Sequence, residues 1–218
     1  MRRGAAAHAS NRIEAAPAKR DTNAAMHKLR WLFLAEFEGL LAGPEEPCHQ
    51  FLKIHPDLLC TTYDAYWSKV PFGEHVSDFV FREPRNDYLL VEIEAPYREL
   101  FRNNGHQRHE LTHAIGQIDD WLCYIQDNKA KVESELGLHG ISATPRMLVV
   151  IGRSATLTER NRRKLAVMQG RHRGLSIMTY DELIDRARAN FERHFGPLSL
   201  RAQNLNIYYY RQDLAEAT

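Results

Sequence analysis

No apolar run in this sequence approaches the ~20 residues that a membrane-crossing helix requires. Its first residues, MRRGAAAHAS, hold no apolar stretch of the kind a secretory signal carries, and Glu14 and Asp21 count against a transit peptide. Cysteine is scarce. Cys48, Cys60 and Cys123 form no Cys-x-x-Cys pair, which argues against a structural zinc site, and an odd number at unrelated spacings suits a reducing cytoplasm. Charge of one sign is not in excess either: 29 Lys and Arg against 28 Asp and Glu leave no bulk attraction to nucleic acid or membrane. Any electrostatic partner must then be read from local patches. Internal repeats are absent. What remains is a chain of 218 residues with 44% hydrophobic side chains, enough for one well-buried domain plus tails. Residues 1–25 read as a flexible leader, 26–196 as the folded domain, and 197–218, with Tyr208, Tyr209 and Tyr210, as a tail or added strand.

Periodicity orders the middle of the chain. Residues 26–42 repeat helically, with Leu29, Phe33, Phe37, Leu40 and Leu41 on one stripe, and Gly43-Pro44 ends the run. EEPCHQFLKIH reads as a second helix that stops at Pro56. HVSDFVFRE and DYLLVEIEAP read as strands joined by a turn at 84–87. One long helix is expected from Gln107 to Leu136, since Ala114–Leu136 holds no proline. RMLVVIGR is a strand apolar on both faces, LTERNRRKLAVMQGRHR a basic helix, LSIMTYD a short strand, and YDELIDRARANFERHF a last helix. This order gives an α/β domain with a mixed central sheet flanked by helices.

The stretch DYLLVEIEAP carries a chemical oddity. On a strand Leu90, Glu92 and Glu94 share one side, so two carboxylates stand together on an otherwise apolar element. Asp78, on the preceding strand, can join them if the two strands form a hairpin. Like charges so close disfavour one another unless a proton or a cation intervenes. A hard divalent ion, Mg²⁺ or Mn²⁺, suits such oxygens and provides for phosphodiester hydrolysis. The plainer alternative is an edge hairpin whose acids pair with Arg82 or Arg98.

The runs SDFVFRE, YLLVEIEAP, ELTHAIGQIDDW, RMLVVIGR and TYDEL together resemble the nuclease domain of the Shedu antiphage defence family, over roughly residues 45 to 190. That resemblance implies a fold of the PD-(D/E)XK restriction-endonuclease-like superfamily and a Mg²⁺- or Mn²⁺-dependent DNA endonuclease that nicks DNA and works as a homo-oligomer with no membrane attachment. It further implies that Asp78 and Glu92 are the metal-binding acids, Glu46 the helical acid before Gln-Phe-Leu, and Gln117 the glutamine on the helix behind the site. Glu94 stands where the superfamily usually has a catalytic lysine, and can serve as general base or extra ligand. A catalytically degraded relative that only binds DNA or other subunits is the first alternative.

A rival motif lies in plain view. His109-Glu110-Leu111-Thr112-His113 is a literal H-E-x-x-H, the zinc-peptidase signature, and Glu133 falls where a third ligand can follow. A continuous helix would set Glu133 ~30 Å from the histidines, too far for one metal. Basic residues gather at Arg160, Arg162, Arg163, Lys164, Arg171 and Arg173. With Arg98, the side chains of Arg162, Arg163 and Lys164 are the candidates for DNA phosphates; the alternative is a solvated face paired with acids such as Glu159.

Overall fold

The computed structural model describes residues 19–195; the leader before them and the tail with Tyr208, Tyr209 and Tyr210 lie outside the described residues. Helix α1 (Lys19–Leu40) begins seven residues before the periodic stripe predicts. Helix α2 (Glu45–Ile54) follows, and then a strand that the patterning does not announce, β1 (Ala65–Phe72). Strands β2 (His75–Glu83) and β3 (Asp87–Ile93) form the expected hairpin. Helix α3 (His109–Asp127) and the short α4 (Lys129–Glu135) lead to β4 (Arg146–Val150), α5 (Glu159–Arg171), β5 (Leu175–Met178) and α6 (Tyr180–Phe195).

The five strands make one sheet in the order β1-β2-β3-β4-β5. The first three run antiparallel, and β3, β4 and β5 run parallel, so the expected mixed sheet flanked by helices is present. Strand β1 takes the edge, where Pro71 costs no ladder bond. Its presence makes β2 and β3 interior strands, which corrects the edge-hairpin alternative. Arg82 pairs with Asp64 at 2.7 Å and Arg98 with Glu110 at 2.8 Å, neither with the strand acids.

Each face of the sheet buries its own core. Val70, Phe72, Val80, Leu90 and Val149 pack under α3 and α5, around Trp121, Ile118, Ile125 and Leu165. Phe79, Phe81, Leu89, Val91 and Val150 pack under α1, α2 and α6, against Phe37, Phe51, Tyr180 and Leu183. Phe37, Phe51 and Phe33 stack in series at 4.8 and 5.1 Å, which ties α1 to α2. The alternation of period two along β2 and β3 thus sets which residues meet which helices.

The single long helix does not form. Asn128 (φ −124°) ends α3, its amide Nδ2 and its backbone N–H both donating to the Tyr124 carbonyl, and α4 starts anew. Tyr124 packs beside Phe72 at 6.3 Å. Among the described residues no helix is long and apolar enough to cross a membrane.

Candidate active site

The β2–β3 register pairs Phe79 with Val91 and Val80 with Leu90. Continued by one step, it sets Asp78 opposite Glu92; strand alternation gives Glu92 the side of Leu90, while the Asp78 carboxylate at the end of the ladder meets Lys69 of β1 and His49 of α2. Asp78 and Glu92 are nearly buried, at 4% and 6% exposure. Here the ladder gives way: the Ile93 N–H donates at 2.8 Å to Asp78 Oδ2 instead of to a backbone carbonyl. Glu94 follows the strand end. Its N–H donates to the Val150 carbonyl at 2.9 Å, and its own carbonyl accepts the hydroxyl of the fully buried Tyr180, also at 2.9 Å. The backbone under Glu94 is therefore held from both sides while its carboxylate keeps some access to solvent.

Two residues that the sequence did not single out complete the cluster. Lys69 on β1 donates its ammonium to Asp78 Oδ1. It does so from a left-handed backbone, φ 58°, an unusual place for a long side chain and one that interrupts the β1–β2 pairing between Ser68 and Val70. The helical acid turned toward the strand carboxylates is Glu45. Its charge acts on both Glu92 and Glu94. Glu46, one position on, points to solvent and accepts the Gln50 side-chain amide at 2.6 Å. Glu46, the helical acid that the resemblance implies, thus lies one step of ~100° around α2 from the acid that faces the strand carboxylates. His49 braces the cluster from the next turn: its ring stacks on Phe79 at 4.8 Å, with Nε2 3.8 Å from Asp78 Oδ1 and 3.3 Å from Ser68 Oγ.

The electrostatics follow from burial. Desolvation, then the charges of Asp78, Glu94 and Glu45, push the Glu92 carboxyl up to about 10. Burial and the neighbouring Glu45 and Glu110 raise Glu94 to about 7, with Arg98 opposing. Glu45 is raised as well, by burial and Asp78. Burial disfavours charge on Lys69, but its bond to Asp78 and the surrounding acids outweigh that and raise its pKa. The His49 ring is lowered by burial and by Lys69. In short, more acids converge than one ammonium can neutralise. Glu92 Oε2 is buried with no hydrogen-bond partner.

The remaining candidates scatter around this centre. His113 Nδ1 lies 4.0 Å from Glu94 Oε1, and Gln117 sits half-buried one turn further along α3. His109 and His113 stack at 5.7 Å, yet Glu110 of the same motif accepts from Arg98, and Glu133 accepts the Gly140 N–H at 3.1 Å. Arg162 turns to the Ser154 carbonyl and toward Glu182, away from Arg163 and Lys164, which line a cavity along α5. The loop carrying Arg98 abuts the turn after β4. Gly152 (φ 66°) lies so close that a Cβ there would sit 2.3 Å from the Arg98 carbonyl oxygen and 2.7 Å from Leu100 Cδ1.

Residues 42–184 match the family model described as Shedu protein SduA, C-terminal, a stretch that contains every carboxylate of the cluster. No curated protein matches the chain.

Proposed function

Because the chain belongs to the Shedu SduA C-terminal family, a membership that supports a role in antiphage defence, we propose that it is a metal-dependent DNA endonuclease with a PD-(D/E)XK-type site at Asp78, Glu92 and Glu94. The observation that carries this reading is the pair Asp78 and Glu92, side by side on two interior strands, with an unpartnered buried oxygen on Glu92. A solvated structural pair has no need of such an arrangement, and burying uncompensated carboxylates is costly.

The donor set fits a hard divalent cation. Asp78, Glu92 and Glu45 or Glu94 offer carboxylate oxygens alone, and the orphaned Glu92 Oε2 is the atom that gains most from a ligand. Mg²⁺ or Mn²⁺ held there would supply positive charge against the extra negative charge of a phosphodiester under attack. Glu94, whose side chain keeps 16% exposure, is placed to accept a proton from an attacking water, its backbone fixed by Val150 and Tyr180. Lys69, half-exposed, provides the cation that the usual pattern would supply from position 94: it neutralises Asp78 and has reach to spare toward a phosphate oxygen. His49 positions Asp78 from behind. Gln117 and His113 border the site on the α3 side, where a strand of DNA would pass. Arg98 is shared with Glu110, so its phosphate contact requires that pair to loosen.

Plasmid nicking with Mg²⁺ or Mn²⁺, against a chelator control, tests the reading. Asp78→Ala and Glu92→Ala are each expected to abolish nicking with the fold intact by circular dichroism. DNA retardation without nicking in the unmodified chain would assign the fold to binding alone. Light scattering of the purified chain tests the homo-oligomer that the family resemblance implies.

A further inference from the structure

The basic face of α5 has a shape as well as a charge. Arg160, Arg163, Lys164, Val167, Met168 and Arg171 recur at helical spacing on one side of the helix. They form one wall of an open cavity of about 720 Å³; the other wall is the hairpin closed by the bridge between Phe101 and Gln107. No carboxylate lines it. Glu159 does reach Arg163, at 3.3 Å, but both side chains are exposed and such a pair contributes little. Lys164 is anchored on the Gly105 carbonyl and holds the hairpin to the helix. The guanidinium groups of Arg160 and Arg171 have no hydrogen-bond or ion-pair partner among the described residues.

The order of side chains along the wall identifies the ligand chemistry. Cations stand at both ends, Arg160 and Arg163 before, Arg171 after. Between them lie Val167, 54% exposed, and Met168. From Arg163 to Arg171 the helix rises ~12 Å. A free nucleotide carries its phosphates at one end of its base. A strand carries them on either side of each base, which matches a cationic–apolar–cationic wall. His106, exposed on the hairpin, adds a ring on which a base can stack. Bases paired in a duplex cannot enter a recess of this kind, whereas unpaired ones can.

We propose that this cavity is a binding groove for single-stranded nucleic acid, holding phosphates at Arg160, Arg163 and Arg171 and an unpaired base over Val167 and Met168. The groove deepens the nuclease reading, since the hairpin that walls it joins β3, next to Glu94, to α3, next to Glu110. It rests on that reading only for the identity of the strand as the flank of the cleaved DNA.

The experiment is fluorescence anisotropy of a labelled oligo-dT and of a duplex of equal length, in chelator, with the full chain. Single strands are expected to bind the more tightly. Arg160→Ala with Arg171→Ala should weaken that binding at least tenfold and make the slope of log K against log salt shallower by about 1.4, at ~0.7 per phosphate contact in single strands. Val167→Asp, an exposed substitution that leaves the core alone, should weaken it comparably. Equal affinity for the duplex, displacement by dTTP as effective as by unlabelled strand, or unchanged binding in folded variants would each overturn the proposal. Nicking is scored separately with Mn²⁺. A chain that binds strands this way but never cuts keeps the groove and loses the nuclease, and a cutting chain indifferent to these substitutions does the reverse.

Discussion

Glu92 is held in the protein at a cost that depends on pH. Its folded pKa, about 10, lies above the value near 4.5 of an exposed glutamate, because of burial and the charges of Asp78, Glu94 and Glu45, with Lys69 opposing. A carboxyl raised on folding contributes stability that is fully present below the unfolded pKa and is lost as pH rises toward the folded one. Between pH 4.5 and 10 the metal-free protein therefore weakens, by on the order of 3 kcal/mol from this group at neutrality. Glu92→Gln should raise the melting temperature in chelator, more at pH 8 than at pH 5, while abolishing nicking; a gap that does not widen with pH would refute the assignment. Lys69 offers a second test. Lys69→Gly removes the ammonium but relieves the left-handed strain, so chelated stability should fall little while nicking is lost; Lys69→Met should lose both. Periodicity made the carboxylates legible, since strand alternation sets Glu92 and Glu94 on one side and the β2–β3 hairpin brings Asp78 to them. It could not reveal Lys69, because φ 58° and Pro71 break the pattern of the strand that carries it. Nor could it choose between Glu45 and Glu46, neighbours whose difference is a helical phase fixed only by packing.

Among the elements, the break after α3 shows where sequence pattern runs out. Nothing in Ala114–Leu136 forbids a continuous helix, but the Asn128 side chain folds back onto the Tyr124 carbonyl and its backbone leaves the helical region at φ −124°, ψ 29°, a conformation that such local side-chain bonds favour. The expectation of one long rod also placed Glu133 by arithmetic that no longer holds; the contact with Gly140 now locates that residue. Helix α3 itself is readable from the spacing of Leu111, Ile115, Ile118, Leu122 and Ile125, of which Ile115 and Leu122 are only partly buried, and that spacing passes over its largest anchor, Trp121. Trp121 is fully buried against Phe72 at 6.2 Å. Trp121→Ala should cost ~3–5 kcal/mol by urea unfolding. Because α3 borders the carboxylates, its activity should fall further than the loss of folded protein explains.

At the scale of the molecule, the sheet divides the labour. The face under α1, α2 and α6 is aromatic and lends Glu45 and His49 of α2 to the carboxylates at the strand ends, while the other continues, past the Phe101–Gln107 hairpin, to the arginines of α5. This division was legible as a fold class, because helix and strand periods alternate along the chain, but the edge position of β1 was not. If the acids bind a cation, the whole fold feels it: Mn²⁺ at a hundredfold its dissociation constant should stabilise the chain by about 2.7 kcal/mol. Differential scanning fluorimetry should show that rise for the natural sequence and not for Asp78→Ala.

The seam at Gly152 gives this architecture a mechanical seat. With a hydrogen where a methyl would strike the Arg98 carbonyl, the loop behind Glu94 rests against the turn after β4 as a door rests on its jamb. The contact leaves no room for a side chain, so the position of the loop behind Glu94 is set by direct backbone packing on that turn. Gly152→Ala would push the loop off the turn and strain a φ of 66°. Turnover should fall with the three carboxylates all in place, and hydrogen exchange should quicken across 95–100 while β3 stays protected.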